Sequence, residues 1–170
     1  GQLGEVAVRK FFKREFGVDV DLDFDIREQI VLQDITGIKN NGKMRVPKIG
    51  VGIKSSKPKS AFLVLGANEI NIKGRRSDIY IYCRPDIPDD HLLRIAKEEI
   101  NEVVKGRPHY LKYKDLMPEF TNISCEVVGW CHYTDLRETD KIPGQDFEGT
   151  RFVKESGLLR KLKEDWQELI

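Results

Sequence analysis

The sequence predicts an α/β domain, a central mixed β-sheet flanked by helices. Three observations carry that expectation. Apolar residues at helical spacing open the chain and recur after residue 90. Between them lie short apolar runs separated by Gly, Pro, Asn and Ser. The element order, α-β-β-β-β-α-β, places helices at both ends of a run of strands, which a flanked sheet accommodates in one core.

Each element follows in turn. Leu3, Val6 or Ala7, Phe11, Phe12 and Phe16 repeat with helical period, and Gly17 stops the helix. Residues 18–26 alternate: Val18, Val20, Leu22, Phe24 and Ile26 against Asp19, Asp21, Asp23 and Asp25. Period two makes this a strand, or an extended segment, with one acidic wet face. Residues 30–38 read as a second strand, 39–48 as a polar connection containing Asn41, Gly42 and Pro47, 49–55 as a third strand and 61–65 as a fourth. Residues 66–72 read as a turn or short helix. Residues 78–83 form a fifth, central strand, which Pro85 and Pro88 end. Asp89 or Asp90 caps a helix to about residue 104, with Leu92, Leu93, Ile95, Ala96, Ile100, Val103 and Val104 on its apolar side. Residues 106–122 are loop-rich. A strand at 125–130, a short helix at 134–138, a strand at 150–154 and a helical tail from 158 complete the expectation. The chain of 170 residues is read as one domain, its core spanning residues 1–130, with a C-terminal extension over 131–170.

Composition narrows the function classes. Apolar residues make up 39% and charged residues 34%, and no apolar run reaches the length of a membrane span, so no membrane partner is expected. The three cysteines lack the paired spacing of a zinc site, which points to a reduced, cytoplasmic protein. The chain opens without Met and directly into a helical pattern, so an upstream segment is expected. The net charge of +1 conceals a strong polarity. Residues 39–76 hold ten basic side chains (Lys39, Lys43, Arg45, Lys48, Lys54, Lys57, Lys59, Lys73, Arg75, Arg76) and one acid, Glu69. A solvated face is the ordinary reading of such a block. Its lack of compensating acids favours a polyanion partner instead.

A single acid, Asp34, lies just before that block on one apolar strand, and a single lysine, Lys54, lies within it on the next. Lone charges on buried strands are uncommon. A carboxylate and an ammonium meeting at a sheet edge suit metal-assisted phosphodiester cleavage: the acid holds Mg²⁺ and the lysine steadies the phosphorane charge. The connection decides whether they meet. A tight hairpin on Asn41-Gly42 sets residue 34 opposite residue 49 and leaves Lys54 roughly 17 Å along the strand. An open loop, favoured by Pro47, sets Asp34 opposite residue 53, beside Gly52 and Lys54.

A helix with Glu5, a strand with Asp34 and a next strand ending in Lys54 resemble the PD-(D/E)XK nuclease superfamily, to which most type II restriction endonucleases belong. The resemblance covers about the first hundred residues and rests on a short motif. It implies a restriction-endonuclease-like core, with Asp34 as metal-binding acid, Lys54 as catalytic lysine and Glu5 as an additional acid. It implies an Mg²⁺-dependent endonuclease (Mn²⁺ substituting) that cuts double-stranded DNA as a homodimer. The position two before the lysine, an acid in the family, is Gly52 here. Some restriction enzymes place that Glu about fourteen residues after the lysine, on a neighbouring helix. Glu69 lies fifteen after Lys54. The resemblance therefore implies Asp34, Glu69 and the carbonyl of Ile53 as metal ligands. Lys39, Lys43, Arg45, Lys48, Ser55, Ser56, Lys57, Lys59, Arg75 and Arg76 are the expected nucleic-acid contacts. The other reading is a catalytically silent DNA-binding or assembly domain of the same fold, for which Gly52 is the main support.

Overall fold

The structure, a computed structural model, describes residues 2–23, 33–72, 74–88, 123–145 and 148–170. Residues 1–85 and 125–170 form one compact unit and 86–124 a second. The first unit carries everything that follows. The expected helix at 90–104, the loop at 106–122 and the ends of the first two expected strands, at 24–26 and 30–32, lie outside the described residues.

Helix α1 (Gln2–Phe16) buries Gly4, Val8 and Phe12, one stripe at four-residue spacing. Gly17, at φ +69°, ends it. There the Gly17 and Val18 amides donate back to the carbonyls of Lys13 and Phe12. Strand β1 (Asp19–Leu22) follows at once, with Val20 buried and Asp21 exposed, as the alternation predicts. It pairs antiparallel with β2 (Ile35–Asn40), which pairs antiparallel with β3 (Lys43–Arg45).

The middle sheet is the mixed one. Strand β4 (Val51–Ser55) runs parallel to β6 (Ile79–Asp86), with Gly52 beside Tyr80 and Lys54 beside Tyr82. Strand β7 (Ser124–His132) lies on the far side of β6. It runs the opposite way, because the Tyr133 amide donates to the Asp78 carbonyl at one end while Arg84 reaches Glu126 at the other. A third sheet is antiparallel, in the order β5 (Phe62–Gly66), β9 (Arg151–Glu155), β8 (Arg137–Thr139). Short helices α2 (Ala67–Asn71) and α3 (Lys163–Gln167) complete the described elements.

Among the described residues the class is mixed α/β, and the strands divide among three three-stranded sheets rather than the single central sheet expected from sequence. Other departures are local. The residues expected as a polar connection fold as the β2–β3 hairpin, because Asn41 (φ 49°) and Gly42 (φ 78°) supply the two left-handed positions of a type I′ turn. The helix expected at 134–138 is a single 3₁₀ turn, Tyr133–Asp135, followed by β8. The tail is helical only over Lys163–Gln167, where Trp166 anchors it, while Leu158 and Leu162 are exposed.

Two apolar clusters sandwich the middle sheet, and the strand period of two decides which residue joins which. Val51, Ile53, Ile79, Ile81 and Cys83 face one cluster, with Val8 and Phe12 of α1, Trp130 and Trp166. Tyr80 and Tyr82 face the other, with Leu63, Leu65, Ile70 and Leu159. Gly4 lets α1 lie flat on β4, since a Cβ there would stand 2.2 Å from Ser55 Oγ. That close approach carries Glu5, the next residue, toward the edge of the sheet.

Candidate active site at the edge of strand β4

Asp34 stands just before β2 rather than within a strand. Its amide donates to the Val51 carbonyl (2.7 Å), and its Oδ2 accepts the Ile53 amide (2.5 Å). One residue thus satisfies two backbone groups on the outer edge of β4. The two arrangements weighed from sequence prove compatible. The hairpin closes on Asn41-Gly42, β3 stops at Arg45 before Pro47, and the chain returns as β4 in a different sheet, so Asp34 still arrives beside Gly52.

Lys54 lies on the face of β4 that carries Gly52, next to the tyrosines. Its Nζ is 2.7 Å from Glu69 Oε1, with both side chains half-buried. Glu69 comes from α2, so the acid in the basic block is brought to the lysine as the spacing suggested. Tyr80 joins them. Lys54 Nζ sits 5.9 Å from its ring centroid, and its hydroxyl accepts the Ser77 amide at 3.1 Å. Burial above all pushes the Tyr80 hydroxyl up to about 12, with the neighbouring Glu69 adding to the shift, so it stays protonated at any ordinary pH.

Gly52 has a structural cause. A Cβ there would lie 2.8 Å from both Tyr80 Cε1 and Ser77 Oγ. The ring of Tyr80 fills the space in which a side chain at 52 would stand, and its hydroxyl accepts the Ser77 amide.

The electrostatics are those of crowded acids. Burial raises the Asp34 pKa above the ordinary 3.8; the Ile53 amide and the Lys54 charge pull it down, and Glu69 pushes it up again. Glu5 is raised as well, first by burial and then by Asp34, with Asp23 adding to the shift and Lys54 opposing it. Glu5, Asp34 and Glu69 therefore feel one another or a common neighbour. All are hard oxygen donors, which suits Mg²⁺. Among the described residues no three Asp, Glu, His or Cys side chains converge on one point as a preformed metal cage.

The expected nucleic-acid contacts divide. Lys39, Lys43, Lys48, Lys57, Lys59, Arg75 and Arg76 are exposed and Arg45 is half-buried. Arg76 lies over the Tyr133 ring, 3.7 Å from its centroid. Ser56 Oγ is hydrogen-bonded to the Tyr82 hydroxyl. Ser55 is a correction: its hydroxyl is buried without a hydrogen-bond partner, on the α1 side of β4, and is not available to a phosphate. Ile53 contributes its N–H to Asp34, and its carbonyl has no such contact with the acids.

Sequence reasoning missed Tyr80 and Ser77. The signal was present, since Gly52 and Tyr80 are the small and large members of a cross-strand pair, but reading it requires the parallel register of β4 and β6. No family model, curated protein or solved structure matches the chain.

Proposed function

We propose that the protein is an Mg²⁺-dependent endodeoxyribonuclease of the PD-(D/E)XK type, a restriction endonuclease acting as a homodimer on double-stranded DNA inside the cell. The observation that carries this reading is the Lys54–Glu69 ion pair at 2.7 Å, set beside a buried Asp34. It puts a lysine and two carboxylates at one sheet edge, although the strand position two before the lysine is glycine.

Asp34 and Glu69 would hold the ion, with Glu5 as an additional acid. When bound, Mg²⁺ supplies charge neutralisation at the phosphate and an activated water. The rest falls to the chain's own side chains. The Ile53 amide fixes the Asp34 carboxylate, and the Lys54 ammonium holds Glu69. Lys54 offers an ammonium to the negative charge that develops on the phosphorane oxygens during in-line attack, before the 3′ oxygen leaves. Lys39, Lys43 and Lys48 supply backbone contacts to the flanking strand.

The engagement of Glu69 by Lys54 favours a second reading, a silent DNA-binding domain in which the ion pair is purely structural. Incubation of supercoiled and linear DNA with Mg²⁺ or Mn²⁺, beside EDTA and Lys54→Ala controls, separates them. The nuclease reading expects discrete fragments, lost in EDTA and slowed about 10²–10³-fold by Lys54→Ala. DNA retained at low salt but uncut supports the silent domain. Absence of both cutting and retention removes both readings.

A further inference from the structure

Beyond Lys54, an open cavity of about 640 Å³ runs from the end of β4 across β5 to Gly144 and Gln145. That volume lies within the range of small-molecule sites, about 300–1,000 Å³, and is far too small for a duplex. Its lining is two-sided. Phe62 and Val64, alternate residues of β5 and each half-buried, give an apolar wall. Lys57 and Lys59 line it from the turn after β4. Among the described residues neither has a carboxylate partner, and no acid lines the cavity.

The turn is fastened. The Ser60 amide donates to the Lys57 carbonyl at 3.0 Å, and Pro58 fixes the backbone between the two lysines. The Tyr82 hydroxyl ties both ends, bonded to Ser56 Oγ and, at 3.3 Å, to the Ser60 carbonyl. Two lysines are thus carried on a held turn that lines the same cavity as an aromatic side chain. Such a pairing suits a ligand that carries a phosphate at one end and a flat, largely apolar ring at the other.

We propose that this cavity binds one nucleoside monophosphate unit, its phosphate on Lys57 and Lys59 and its base against Phe62. The inference rests on the nuclease reading only for the source of that unit, a nucleotide swung out of a strand whose next phosphate lies at Lys54. A base leaves a paired stack at a cost of a few kcal/mol, and least from a mismatch or a single strand.

Calorimetric titration of the full chain with thymidine 5′-monophosphate, in EDTA so that no cleavage intervenes, tests the pocket by itself. Saturable binding is expected, weakened about tenfold or more in Lys57→Ala/Lys59→Ala. Both lysines are exposed, so that variant keeps its fold. Phe62→Leu is expected to weaken the monophosphate and leave inorganic phosphate unchanged. A single-stranded oligonucleotide should compete with the monophosphate better than the matched duplex does. No saturable binding, equal binding by the double-lysine variant, or inorganic phosphate binding as tightly as the nucleotide overturns the proposal. Monophosphate binding in a protein that never cuts DNA upholds the cavity and removes the nuclease reading alone.

Discussion

The two faces of the middle sheet are built from the same strands and do different work. Toward α1, β4 and β6 present Val51, Ile53, Ile79, Ile81 and Cys83, all buried in one apolar cluster with Val8 and Phe12. Toward β5 and α2 the alternate positions are Gly52, Lys54, Tyr80 and Tyr82. There burial is completed by aromatic side chains with polar tips, and the tips hold the Ser77 amide and the Ser56–Ser60 turn. The first face supplies stability. The second supplies less of it and a set of positioned polar groups, each tied to a backbone or side-chain partner. Period two lets a single strand serve both needs, since neighbours in sequence point to opposite faces.

The comparison breaks most severely on the apolar face. Phe12→Ala should cost about 3–5 kcal/mol in chemical denaturation, because Phe12 is 1% exposed and packs against Trp166 and Phe16. DNA retention by the remaining folded fraction should be unchanged.

Next comes the mixed face. Gly52→Ala should cost about 1–3 kcal/mol through crowding against Tyr80 and Ser77. Combined with Tyr80→Val, it should cost less than the two single changes added together, as contacting residues couple. A strictly additive double variant would show that the ring does not occupy the space of a side chain at 52.

Asp34→Asn should separate stability from chemistry. Burial raises the Asp34 pKa in the native state, so the native form binds the proton more tightly than the unfolded chain does. The associated stability is present below the ordinary 3.8 and is lost as pH rises through the raised value. The asparagine variant, free of that loss, should melt higher than the parent at pH 7, and the gap should close on acidification below 3.8. Cleavage should vanish in the same variant. In the parent it should fall with acidification at a pH above that of an ordinary aspartate.

The smallest effect belongs to the exposed hairpin. Lys43→Ala should leave the melting temperature unchanged and shift the slope of log affinity for DNA against log salt by about 0.9, the signature of one phosphate contact. An unchanged slope would take the β2–β3 hairpin out of the interface.

How much of this was legible in the sequence differs between the two faces. The apolar face was: helical spacing announced α1, and alternation announced β1 and the interior of β6. The pairing of Lys54 with Glu69 was legible as a spacing, fifteen residues, with no means of knowing the path between them. What could not be read was register. The hairpin and the open loop looked like alternatives because both were imagined within one sheet, whereas the chain completes a hairpin and then changes sheets after Pro47. The roles of Tyr80 and Tyr82 were not legible, because their hydroxyls depend on partners 3 to 26 residues away. Ser55 was misjudged for the same reason: its neighbours Lys54 and Ser56 point away from α1, and only the burial of Gly4 shows where its hydroxyl goes.

The contact between Gly52 and Tyr80 also constrains how this sequence can change over evolutionary time. A side chain cannot be added at position 52 while the ring stands over it, and removing the ring first leaves a hole in the second cluster. Each single step is costly and only the paired step is tolerable. The cross-strand pair therefore acts as a latch: the two positions can change together and neither can change freely alone.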